Sequence, residues 1–77
     1  MNNTRRKQLQ KAIDLLEQAM NLIEEAKDDE QEAFDNLPEG IQMSDRGEVM
    51  EENVTALEEV FGYLEEQRDA IDEVIYA

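Results

Sequence analysis

Seventy-seven residues carry a formal charge of −14 at neutral pH, with 21 acids against seven basic residues and neither cysteine nor histidine. That composition suits one small domain and excludes disulfides, thiolate or imidazole metal sites, and histidine acid–base chemistry. It also disfavours generic nucleic-acid binding, which needs clustered Lys and Arg, and adhesion to anionic membranes, whereas a basic protein surface would be attracted.

The charge is uneven along the chain. Residues 1–11 hold Arg5, Arg6, Lys7 and Lys11 with no acid, giving +4; residues 12–77 hold every acid against Lys27, Arg46 and Arg68, giving −18. The opening MNNTRRKQLQKAIDLL is too polar for a secretory signal. No apolar run approaches the roughly 20 residues that cross a bilayer, so a cytosolic protein is expected.

The first predicted helix spans about residues 4–36. Apolar residues step by four and three through Leu9, Ile13, Leu16, Met20 and Ile23, pass Lys27 and Glu30, and resume at Phe34 and Leu37, which is a heptad seam. Beside the seam runs one alanine every seven residues (Ala12, Ala19, Ala26, Ala33), and Leu15 and Leu22 widen the stripe. Arg5, Arg6 and Lys7 occupy the first turn, where positive charge opposes the helix dipole. Pairing with Asp69, Asp72 and Glu73 across a hairpin is expected to offset that cost. Lys27 and Glu30 are expected to pair with each other or with nearby acids.

Pro38 forces Leu37 away from helical geometry, so a connector begins near Asn36. Ser44 is the expected N-cap of a second helix over about 44–76, with Asp45 and Glu48 favouring the positive end of its dipole. Its seam is Met50, Val54, Leu57, Phe61, Leu64, Ile71 and Ile75, interrupted by Arg68. Val60 and Val74 are read as flanking one side of that seam and Ala56, Tyr63 and Ala70 the other, with acids over most of the opposite face. Each helix is roughly 45–50 Å long at 1.5 Å per residue. A connection this short makes them antiparallel neighbours, an all-α hairpin.

Four of every seven positions are apolar or small over much of both helices. Such a stripe suits a helix with neighbours on two sides, and a lone hairpin would leave a large apolar surface in water. Self-association follows as an expectation, most simply a four-helix bundle of two hairpins related by twofold symmetry, with a higher oligomer as the alternative.

Catalytic constellations are hard to build from these residues. The single serine, Ser44, has no histidine to activate it. Adjacent acids such as DDE at 28–30 point about 100° apart on a helix and do not converge on one ion. The Glu-x-x-His pattern of di-metal bundles is missing, as is a calcium loop of EF-hand type. No enzyme, metal or cofactor is expected. Ser44, Arg46 and Gly47 lie at the start of the second helix, where unpaired N–H groups, an arginine and a glycine suit an anion, although Asp45 and Glu48 oppose one. Arg46 has a local alternative in Glu39 or Glu48. Arg68, in the seam, is expected either to reach Asp14 or Glu17 or to grip an anionic ligand between subunits. Phe34, Phe61 and Tyr63 offer aromatic faces.

The segment FDNLPEGIQMSDRGEVMEENVTALEEV (34–60), with TRRKQLQKA before it, resembles small acidic helical-hairpin proteins encoded by bacteriophages and mobile elements of Firmicutes. The resemblance implies a phage-type accessory protein in a bacterial host's cytoplasm and carries no assigned activity or functional residue. Proteins of that class often antagonise host defence, an analogy of class and not of site. The expected function is sequestration of a small nucleotide-like immune signal in an inter-subunit pocket, with Arg46 and Arg68 on phosphate, Tyr63 or Phe61 stacking, and Ser44 and Gly47 at the helix start. The alternatives are an acidic antagonist of a basic host protein, acting as a mimic of DNA charge, or a structural or assembly factor.

Overall fold

A computed structural model describes all 77 residues, Met1–Ala77. It is an all-α hairpin: α1 (Asn3–Asp35) and α3 (Asp45–Ile75) run antiparallel, with a single helical turn, α2 (Glu39–Gln42), between them. The two long helices lie within a residue of the predicted bounds at each end. The Cα atoms fill a rod of 58 × 15 × 12 Å.

α1 starts at Asn2, whose backbone is extended and whose Oδ1 accepts the Arg5 N–H at 2.9 Å, satisfying one of the open donors of the first turn. Every residue of the α1 seam, Lys27 and Glu30 included, is half-buried or buried, and so is every residue of the α3 seam, Arg68 included. Ile13, Met20, Val54 and Ile75 form the innermost core at 3–7 % exposure, and no side chain is sealed completely. That is the geometric limit of two helices, each of which covers only one side of the other.

Two hydrogen bonds set the register. Asn53 Nδ2 donates to Glu30 Oε2 at 2.9 Å near the turn, and Arg6 Nε donates to the Ile75 carbonyl at 3.1 Å at the open end. The second bond revises the expected pairing of the basic start with Asp69, Asp72 and Glu73. Arg6 instead satisfies a carbonyl in the last turn of α3, where a cation also complements the negative end of the dipole. Glu30 likewise pairs across the hairpin with Asn53, and Lys27 pairs with Asp28 at 3.2 Å, not with Glu30.

The connector is more ordered than a plain loop. Pro38, extended at φ −56° and ψ 145°, precedes α2, and its carbonyl accepts from Ile41 and Gln42 at 2.9 and 3.0 Å. The Gln42 amide donates to the Phe34 carbonyl at 3.0 Å and to that of Asp35 at 3.4 Å, so the connector closes the open end of α1. Its backbone packs directly on Gly47 in the first turn of α3. A Cβ built at Gly47 would stand 2.7 Å from the Gln42 Cα and closer still to its carbonyl, a contact only glycine permits.

The α3 flank also differs from its sequence reading. Val60 is four residues from Ala56 and three from Tyr63, and Val74 is four from Ala70, so these residues lie about 40–60° apart around the helix axis. They form one flank of the α3 seam, not two opposed ones.

Candidate functional site

The six residues proposed for ligand binding do not converge in one chain. Arg46 and Arg68 stand 22 residues apart on α3, roughly 33 Å along its axis. Arg68 is half-buried, and its Nε and Nη2 both donate to Asp69 Oδ1, at 3.2 and 3.1 Å, in place of the expected Asp14 or Glu17. Ser44 has the extended backbone of an N-cap, but its hydroxyl donates back to the Ile41 carbonyl and makes no cap bond within α3. The space over Gly47 is taken by Gln42, so this glycine serves packing and not the approach of a ligand. Arg46 is exposed and takes part in neither of the two ion pairs, Lys27–Asp28 and Arg68–Asp69. Tyr63 is 64 % exposed, while Phe61 is half-buried in the seam.

Phe61 and Leu57 line a shallow groove of about 150 Å³ with Glu24, Lys27 and Glu58. Binding sites for drug-sized ligands run to roughly 300–1,000 Å³. Its one cation is committed: the Lys27 amine is held above its ordinary value of 10.5, first by its hydrogen bond to Asp28, with Asp28, Glu58 and Glu24 adding Coulombic attraction and desolvation opposing. A phosphate would meet carboxylates there. A second groove, about 270 Å³, lies at the open end between Asn3, Arg6, Lys7, Gln10, Ile75 and Tyr76, and Arg6 is tied there to the Ile75 carbonyl. No group of three acidic residues is placed to hold a metal ion. No helix is long and apolar enough to cross a membrane.

What the fold does arrange is a division of the rod's surface. Glu24 of α1 and Glu58 of α3 line the same groove, so the carboxylate sides of the two helices share one side of the seam. The Leu15–Leu22 flank of α1 and the Val60–Tyr63 flank of α3 therefore share the other. Every large exposed apolar residue within α1 and α3 (Leu15, Leu22, Val49, Val60, Tyr63 and Val74) stands on that second side, joined by the alanine rows. Of the 21 acids only Asp29 shares their heptad positions, while Glu52, Glu59, Glu66 and Glu73 form an unbroken row on the back of α3. Sequence periodicity registered the surplus apolar width. It missed that both helices turn this surplus the same way, because that depends on the side of the seam on which each flank lies.

Comparison of the chain with protein-family models, with curated proteins and with solved structures finds no match.

Proposed function

We propose that this chain is a non-enzymatic, self-associating binding protein that meets its target through carboxylate rows. The observation that carries the reading is the segregation of charge: one long side of the rod is almost free of acids, and the other sides hold nearly all of them. Hairpins that pair through the uncharged side form a four-helix bundle whose outer surface is acidic. A net charge of −14 over a 58 Å rod is one charge per about 4 Å, and two copies side by side give one per about 2 Å. Duplex DNA presents one per roughly 1.7 Å, so the pair suits a basic protein that ordinarily holds nucleic acid. The phage-type resemblance supports a target in the cytoplasm of a bacterial host, and an anti-defence role as its purpose.

Sequestration of a nucleotide-like signal is the second reading. What favours it is that Arg46, without an ion pair, and the exposed Tyr63 both lie on the uncharged side, where self-association would bring copies of them into one interface. The half-buried, Asp69-bound Arg68 weakens it.

Affinity capture from host lysate, followed by titration of the recovered partner, tests both. The first reading expects a basic protein whose binding weakens steeply between low and physiological salt. It also expects loss of that binding when Glu52, Glu59, Glu66 and Glu73 are changed together to Gln. Calorimetry with cyclic and linear nucleotides is expected to show no heat. A nucleotide bound at micromolar affinity, with no basic partner captured, overturns the first reading and establishes the second.

A further inference from the structure

We infer that two copies of the chain dock through the uncharged side end for end, each α1 lying antiparallel on the α1 of its copy. The inference rests on the self-association proposed above and adds the surface and its orientation. Three observations carry it.

The first is charge. A rod with 21 acids can approach its own copy without opposing carboxylate rows only through the side that holds Asp29 alone. The second is size. End for end, residues 1–33 of one copy lie along those of the other, about 48 Å, with the apolar stretch from Ala12 to Leu22 at the centre, and the hairpin is 15 Å across. The covered face is thus on the order of 700 Å² per copy and 1,400 Å² for a pair, within the range of a specific interface.

The third is relief. The Glu30–Asn53 and Arg6–Ile75 bonds place Ala12 level with Ala70, and Leu22 level with Val60. The face therefore has a low band and a high band. Pairing two copies in the same direction stacks Leu22 on the partner's Val60 and Ala12 on the partner's Ala70, high on high and low on low at those two levels. Turning one copy end for end sets Leu22 over the partner's Ala12 and Leu15 over the partner's Ala19, so each exposed leucine of α1 finds an alanine. The same register brings Arg5 over the partner's Asp29, the lone acid of the face.

The chain has no cysteine, so single introduced thiols report the geometry cleanly. Ala19→Cys and Ala33→Cys, each treated with a short bis-maleimide, are compared beside sedimentation equilibrium of the unmodified chain at tens of micromolar. End-for-end docking puts the two copies of position 19 about 6 Å apart along the axis and the two copies of position 33 about 48 Å apart. A dimer mass, with linking in Ala19→Cys at least tenfold faster than in Ala33→Cys, is the expected result. A monomer overturns the proposal together with the self-association beneath it. A dimer in which Ala33→Cys links as fast, or in which neither variant links, overturns the face and orientation alone and leaves self-association standing.

Discussion

Gly47 and Gly62 both lie inside α3, yet replacing each with alanine is expected to move stability in opposite directions. In a helix interior Gly→Ala contributes roughly 0.8–1.0 kcal/mol from backbone entropy and propensity. A Cβ at Gly62 meets nothing within 4 Å, so Gly62→Ala keeps that gain. A Cβ at Gly47 would stand 2.5 Å from the Gln42 carbonyl carbon, 2.7 Å from its Cα and closer still to its carbonyl oxygen. All three are backbone atoms, so the connector must lift away as a unit. Overpacking of this kind costs about 1–3 kcal/mol. Lifting the connector also strains the Gln42 bonds to the Phe34 and Asp35 carbonyls, with an ordinary hydrogen bond worth about 1 kcal/mol. Gly47→Ala is therefore expected to destabilise by about 1–3 kcal/mol after the propensity gain is subtracted. For a domain of this size each kcal/mol moves the melting midpoint by roughly 4–8 °C. Thermal melts followed by circular dichroism at 222 nm, at one fixed protein concentration, read both variants. Should Gly47→Ala raise the midpoint as Gly62→Ala does, the packing of the connector on α3 described above is wrong.

Met20→Ala, which removes the most deeply buried side chain at 3 % exposure, is expected to cost about 2–5 kcal/mol in urea unfolding. Leu22→Ala, at 66 % exposure, is expected to leave the dilute hairpin nearly unchanged and to weaken self-association by sedimentation. Arg6→Ala removes the donor that closes the last turn of α3 and is expected to cost roughly 1–3 kcal/mol, a hydrogen bond from a charged donor, with faster amide exchange confined to the chain ends. Raising NaCl from about 10 to about 500 mM is expected to raise the melting midpoint, because like charges on a chain of −14 repel less when screened. The raised Lys27 value fixes the sign of one alkaline effect: its stabilising contribution is complete below 10.5 and is lost as pH rises through the folded value. Lys27→Gln should therefore melt with a smaller drop than the parent chain between about pH 9 and 11.5.

Periodicity was enough for the hairpin because a heptad seam is local information. Leu9 to Leu37 and Met50 to Ile75 name the buried line of each helix, and Pro38 names the break. The connector was less legible. Gln42 resembles any polar loop residue, and its bonds to Phe34 and Asp35 exist only once α2 has folded over the start of α3. Gly47 looked like room for a ligand for the same reason, since its covering backbone lies five residues away. The partners of Arg6, Glu30 and Arg68 depended on register and rotamer, which composition does not encode. Lys27 and Arg68 nonetheless kept their seam positions, their stems packing while their charged ends pair with the next residue along the chain.

The bond between Arg6 and the Ile75 carbonyl brings both chain ends to one pole of the rod. A short peptide bridge from Ala77 to Met1 would close the chain into a ring, and a fresh opening at Gly40, which is exposed, would yield a circular permutant with the seam untouched. A fluorophore fused at either terminus hangs from that pole and leaves the opposite tip unobstructed. In an end-for-end pair such labels would sit at opposite ends of the assembly, about 48 Å apart along the axis, and the same label moved to the connector of one copy would lie beside the partner's terminal label and transfer energy far more efficiently.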